Sequence, residues 1–391
     1  MRVLCVTRIF PNRVEPTFGP FNEKQLAALA KVGWDVTVVN PIPWFPGAGF
    51  AGKRTRASKA GQIPREDVIS GLTVHHPRYL HIPKLLSVHA PLYATGIAPD
   101  VLRLKGAFDV ILSPFAYPDG VASILLGRAL KIPVVVKLHG GDMNVGARLP
   151  APGRWIRSQF PKAARIVAVS EPLAVLAVEA GVPRSRVDVV QDGVDDTVFY
   201  ARDAAASKRA LGYDPARKSV VYVGRLERRK GVYELMEAWS EISNLRPDVD
   251  LVLVGDGDDT AACRIFAEST NGRVKLTGNL GMHDVADQIA ASDLLVLPSH
   301  AEGTPNCVIE GLASGRPVVA TSVGGIPDMI HDERMGELVP KENAAALAAA
   351  ILRTLARSYD AREIIALSGR GTWLDSARAL GESLRSAIEA P

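Results

Sequence analysis

Leu294-Leu295-Val296-Leu297-Pro298-Ser299-His300-Ala301-Glu302-Gly303-Thr304-Pro305-Asn306-Cys307-Val308-Ile309-Glu310 reads as a buried strand, a turn built on Gly303 and Pro305, and a helix starting near Asn306. A short apolar run bounded by Gly and Pro suits a strand covered on both faces. In that order the turn amides and the helix N-terminus face outward at the carboxyl end of the strand. Free N–H groups and the positive end of the helix dipole suit a phosphate. Glu302 and Glu310 suit the other half of such a ligand, because carboxylates accept hydrogen bonds from hydroxyls. Together they describe a nucleotide-sugar pocket.

The same alternation of strand and helix runs along the whole chain, the pattern of parallel sheets. A first series of strands is expected at residues 2–7, 35–40, 110–113, 134–139, 165–170 and 187–191, with helices at 22–32, 120–129 and 172–180. A second series is expected at 219–224, 250–255, 274–277, 293–298 and 317–321. Residues 192–215 lack strand character and read as a linker with a short helix, and 361–390 reads as helix. At 391 residues one core is too few. The expected fold class is therefore α/β, with two doubly wound Rossmann-like domains facing across a cleft. The first spans 1–198 and the second 199–373, and a terminal helix over 374–391 packs back on the first.

Bulk properties are those of a globular protein, with 47% hydrophobic and 23% charged residues. The amino end is too short an apolar run for a signal peptide and reads as a first strand. Three scattered cysteines, Cys5, Cys263 and Cys307, indicate neither a disulfide framework nor a zinc site. A reducing cytoplasm is expected. Net charge is only +4, yet bases crowd 53–105 (Lys53, Arg54, Arg56, Lys59, Arg65, Arg78, Lys84, Arg103, Lys105), just after Trp44 and Phe45. That stretch reads either as a solvated loop or as a contact with the inner membrane face. No nucleic-acid motif accompanies the charge.

Further candidates stand at other strand ends. Gly224 permits a close backbone approach, and Arg225 and Lys230 add two positive charges, one a fork and one a point charge. In the first half, 134–138 delivers His139, which is expected to bond a sugar hydroxyl or the acceptor, and Asp142, which is expected to orient either. Gly19 offers amides before a helix. The dinucleotide pattern is not met, since Gly255-Asp256-Gly257 lacks its third glycine, and the P-loop is absent. Asp256 and Asp258 mimic a metal-binding pair but read better as a turn, so no metal is expected.

These pieces, in this order, resemble the large family of retaining GT-B glycosyltransferases that carry an E-x7-E motif, known as family 4. The resemblance rests on Gly19, His139-Gly140, Val169-Ser170-Glu171, Gln191-Asp192-Gly193-Val194-Asp195, Phe199, Gly224-Arg225-Leu226, Lys230-Gly231 and Gly255-Asp256-Gly257. It continues through Glu302-Gly303, Glu310-Gly311-Leu312-Ala313, Gly315-Arg316-Pro317-Val318-Val319 and Gly324-Gly325, and so covers nearly the whole length. The opening, with Phe10-Pro11 and 16–21, is similar to enzymes of bacterial surface-polysaccharide assembly. The resemblance implies that Arg225, Lys230 and the amides of Gly19 hold the donor diphosphate and that Glu310 holds the ribose. Glu302 and the backbone of Gly303, Thr304, Asn306 and Cys307 would hold the hexose, with His139 at the reacting face. Thr304 departs from the bulkier residue common there, and Asp328 from a commoner Glu.

The implied activity is retaining transfer of a hexose from a UDP- or GDP-sugar to a hydroxyl of a glycan, lipid-linked in surface-polysaccharide synthesis. The enzyme is expected to need no metal and no cofactor, to close its domains about a hinge at 192–203, and to work in the cytoplasm or at the inner membrane face. A nucleotide-sugar 2-epimerase would share this architecture but turn over donor without acceptor. An idle nucleotide-sugar-binding partner of another transferase is a third reading, against which Arg225, Lys230, Glu302 and Glu310 stand together.

Overall fold

The computed structural model describes residues 1–16, 18–45, 60–369 and 371–389. Thr17, Lys53, Arg54, Arg56 and Lys59, and most of the aromatic-to-basic loop, lie outside the described residues. The chain divides into two compact units, 1–193 with 373–391, and 194–372. The first crossing thus falls after Gly193 rather than after Val198. Val198 and Phe199 are buried in the core of the second unit, and Val194 bridges to Thr372 there.

The first unit contains β1 (Arg2–Val6), β2 (Asp35–Val39), β3 (Ile42–Trp44), β4 (Glu66–Ile69), β5 (Leu72–His75) and β6 (Arg78–Leu80). These are followed by β7 (Val110–Pro114), β8 (Val134–Leu138), β9 (Arg165–Ala168) and β10 (Val187–Val189). Its main sheet has the order β10-β9-β8-β7-β1-β2-β5-β4, parallel except for the β4–β5 hairpin, while β3 and β6 pair apart. Every residue of β7 and β8 is buried, which is why both read as continuous apolar runs. Lys137 is the charged exception in β8. Its ammonium lies 2.6 Å from Asp192 and also bonds Gln25, so the buried charge is paired.

Strands β3 to β6 are absent from the sequence expectation. They are three or four residues long, and β4 and β5 form a half-exposed edge where alternation is too brief to detect. Part of the expected basic loop is therefore sheet and helix. Arg78 bonds the carbonyls of Ile63 and His76, and Arg103 pairs with Glu66 and Asp100. The terminal helix, Trp373–Glu389, packs along the helix Pro20–Lys31 and on the sheet. It buries Leu380 and Leu384 completely, a contribution of about 1.5–3 kcal/mol each. Gln25 donates to Ser376, which donates to the carbonyl of Gln191.

The second unit contains β11 (Lys218–Val223), β12 (Val249–Val254), β13 (Val274–Gly278), β14 (Leu294–Leu297), β15 (Val318–Thr321) and β16 (Gly336–Val339). The order is β13-β12-β11-β14-β15-β16, and every pair is parallel. Only β16 lies beyond the expected strands; it opens on Gly336, a poor strand former. Strand order reverses between β11 and β14, and in such sheets the crevice at the carboxyl ends of those two strands takes the ligand. The linker helix is present over Ala204–Ala210.

Candidate functional site

The two loops that leave β11 and β14 hold most of the candidate residues. After Gly224, the Tyr222 hydroxyl donates to the carbonyl of Arg225 at 2.6 Å, and Asp259 accepts the amide of Arg228 at 2.7 Å. A tight turn, Arg228–Lys230, ends on Gly231 at φ 74°. A Cβ there would stand 2.0 Å from the carbonyl of Pro298, so only glycine lets this loop lie against the end of β14. The consequence is a contact between the loops. Lys230 Nζ lies 2.5 Å from Glu302 Oε1, and Ser299 Oγ donates to the same oxygen at 2.7 Å.

The third support comes from beyond β15. Gly324 sits at φ 56° with its would-be Cβ 2.0 Å from the carbonyl of Glu302, and the amide of Gly325 donates to Gly303 at 2.8 Å. Glu302 is thus fixed from the ends of three strands. The helix Asn306–Ala313 begins immediately after, with Asn306 and Cys307 in its first turn and Glu310 in its second. Burial, and then the charge of Glu302, push the Cys307 thiol up to about 12, so it stays protonated. Arg225 extends into solvent, its Nε 3.2 Å from Glu227, which also takes Arg229 at 2.9 Å. Gly224, Arg225, Lys230, Glu302, Gly303, Thr304, Asn306, Cys307 and Glu310 therefore share the switch-point end of one sheet. That end offers cations, amides and carboxylates together.

The remaining candidates belong to the first unit. Gly19, at φ 74°, precedes the helix Pro20–Lys31. Pro20 has no N–H, and the amide of Asn22 already bonds Gly19, so this helix end has fewer free donors than the spacing alone suggests. His139 follows β8, its ring packed 4.8 Å from Phe21 and its Nδ1 3.9 Å from Asp192. Burial, reinforced by the charge of Lys137 and opposed by Asp192, brings its pKa down to about 3, so the imidazole is neutral. Its Nε2 is buried without a hydrogen-bond partner among the described residues. Asp142 is buried, and its oxygens take the amides of Ala116, His139, Gly140 and Met143. It holds the His139 loop in shape.

Sequence reasoning missed the partners: Ser299 under Glu302, Glu227 beside Arg225, and Asp192 between Lys137 and His139. It also missed Arg8, which contacts the fully buried Asp119 at 3.2 Å while Tyr93 donates to that carboxylate at 2.8 Å. Asp192 and Arg8 meet partners from distant strands, whereas Ser299 and Glu227 lie three and two residues from the side chains they touch, contacts that depend on how each loop turns. Among the described residues no group of three or more metal-ligating side chains comes together. Asp256 accepts from Gly257 and Thr260 and stabilises its own turn.

Comparison with known proteins adds three findings. A family model described as Glycosyltransferase Family 4 matches residues 24–198, and one described as Glycosyl transferases group 1 matches 217–357. The chain is 32% identical over 362 residues to the putative teichuronic acid biosynthesis glycosyltransferase TuaC of Bacillus subtilis, covering 90% of this chain and 89% of that protein. It is also 32% identical to a D-inositol 3-phosphate glycosyltransferase of Segniliparus rotundus, over 85% of this chain and 80% of the relative. Similar folds include sucrose-phosphate synthase of Thermosynechococcus elongatus, at TM-score 0.77 and 19% identity over 100% of both chains. HepE of Anabaena, solved with UDP-glucose, aligns at TM-score 0.71 and 18% identity over 99% of this chain and 100% of the other.

Proposed function

Because the chain belongs to glycosyltransferase family 4 and has the GT-B fold, we propose that it moves a hexose from a nucleotide-diphosphate sugar to a hydroxyl of a lipid-linked glycan, with retention, in surface-polysaccharide synthesis. The observation that carries this reading is the Lys230–Glu302 pair at the switch point of the second sheet. A donor would exchange that pair for two better-matched ones, Lys230 on the diphosphate and Glu302 on the hexose hydroxyls. Arg225 is given the same diphosphate, Glu310 the ribose, and the amides of Gly303, Thr304, Asn306 and Cys307 the sugar and the phosphate. Gly224 keeps the backbone beneath it thin.

Transfer then breaks the bond from C1 of the sugar to the diphosphate oxygen and forms the bond from C1 to the acceptor oxygen on the same face. The departing diphosphate takes the acceptor proton. Lys230, Arg225 and the helix end stabilise the charge that develops on it, the electrostatic term that dominates such sites. We assign these two cations the work a divalent metal does elsewhere, and no cofactor is required. His139, neutral and with Nε2 unpartnered, is assigned a hydrogen bond to a sugar hydroxyl, and the amides before Asn22 a lesser contact with phosphate. The name of the Bacillus relative supports a polysaccharide product, and the UDP-glucose bound to HepE supports a nucleotide-sugar donor. Thermal-shift and calorimetric titration with UDP- and GDP-sugars is the test. One nucleotide-sugar should bind the wild-type chain, and the Lys230→Ala variant should bind it weakly; no binding by any of them sinks the reading.

A further inference from the structure

We propose that the first unit docks on an anionic lipid surface through two neighbouring segments, 82–87 and 145–157. The inference deepens the reading above, since a lipid-linked acceptor is met at such a surface. The first segment, Ile82-Pro83-Lys84-Leu85-Leu86-Ser87, joins β6 to the helix Leu86–Arg103, and all of it is exposed. Ile82, Leu85 and Leu86 leave 41%, 45% and 37% of their surface in water. The second segment leads into and along the helix Pro150–Gln159, and there Val145 and Leu149 leave 51% and 42%. The segments are neighbours: Trp155 Nε1 donates to the carbonyl of Ser87 at 2.8 Å, and both pack against 116–120, where the Tyr117 hydroxyl bonds the carbonyl of Leu86. Five large apolar side chains exposed on two adjoining segments are more than scattered exposure explains.

Charge decides what covers them. Lys84, Arg148, Arg154 and Arg157 are exposed among these side chains, and none of the four forms an ion pair among the described residues. No Asp or Glu occurs from 68 to 99 or from 143 to 170. Elsewhere in the chain bases are commonly paired, as Arg165 is with Asp188 and Arg217 with Asp250. A face that is apolar and basic but free of acid matches lipid headgroups carrying negative charge, with side chains entering the interface and ammonium and guanidinium groups at headgroup level. Among the described residues no helix is long and apolar enough to cross a membrane, so the contact is peripheral.

Co-sedimentation of the full chain with vesicles of phosphatidylcholine, with and without phosphatidylglycerol, tests this. Wild type should pellet with the anionic vesicles, remain in the supernatant with the neutral ones, and release as salt rises. Arg148→Gln with Arg157→Gln should weaken binding roughly fivefold for each base. Leu85→Ser with Leu86→Ser should weaken it about tenfold or more. Both variants should keep the wild-type melting temperature and the protease resistance of residues 1–193, which shows that the first unit folds, and should bind nucleotide-sugar as wild type does, which separates this proposal from the donor reading. Equal pelleting with both vesicle types, or no effect of either variant, overturns the proposal. So does self-association that the leucine variant abolishes while vesicles go unbound, because it assigns the face to protein.

Discussion

At the scale of the residue, the Lys230–Glu302 pair has two jobs that mutation separates. Without ligand, each charge neutralises the other at 2.5 Å in a partly buried setting. With donor bound, Lys230 is expected to face a leaving group whose charge grows in the transition state, so Lys230→Ala should lower turnover by on the order of 10²–10³ while a smaller effect falls on binding. Steady-state kinetics with radiolabelled donor checks it, and near-wild-type turnover removes Lys230 from the chemistry. A second expectation concerns acid. Burial holds the imidazoles of His139 and His89 down to about 3, below the ordinary histidine value of about 6.5. Between those values the unfolded chain binds more protons, so stability is full above about 6.5 and falls as pH drops toward about 3. Melting curves from neutral pH down to pH near 4 should show this, and His139→Gln should flatten the decline; an identical decline in the variant would contradict the assigned cause. Glu302, Glu310, Arg225 and Lys230 were legible because each follows a strand closely enough for its end of the sheet to be known. Asp192 was not, because what it touches depends on which strands are neighbours, and Ser299 was not, because its bond to Glu302 three residues on depends on how the loop after β14 turns.

At the scale of the element, the site is a set of loops held at distances that glycine permits. Gly324→Ala would place a methyl group 2.0 Å from the carbonyl of Glu302 in a left-handed conformation, so the loop must move. Strain of this kind costs about 1–3 kcal/mol, and the displaced carboxylate should lower turnover as well. Gly33 is the control. It also has positive φ, 95°, but open space around it, so Gly33→Ala should lower the melting temperature modestly and leave turnover intact. If both variants behave alike, contact with Glu302 is not what matters. The same elements explain what could be read beforehand. Five of the six strands of the second sheet were expected, since each central strand is buried on both faces and announces itself as an apolar run. The β4–β5 hairpin has one wet face and four residues per strand, and its charges resembled a loop.

At the scale of the molecule, the chain reaches two cores by an unequal route. The buried core of the second unit, among the described residues, runs from Val194 to Ile364, all within that unit. One face of the first sheet, by contrast, is closed by Ala377, Leu380, Leu384 and Ala387, from the far end of the chain. Helical periodicity made that terminal helix visible in the sequence, and the apolar face it presents required a sheet to cover. Ending the chain at residue 372 would therefore strip the first unit of side chains worth several kcal/mol, a large part of the roughly 5–15 kcal/mol that holds a domain together. The second unit would keep its core and its switch-point loops. The expected outcome is a truncated protein whose residues 1–193 are cut readily by protease while 194–372 resists, with nucleotide-sugar affinity retained and glycosyl transfer lost. Limited proteolysis followed by mass spectrometry, and calorimetry on the same sample, reads both halves of that statement. A protease-resistant first unit would show that the helix is an accessory to its fold, whereas loss of donor affinity alongside a resistant second unit would move the donor site out of the loops after β11 and β14.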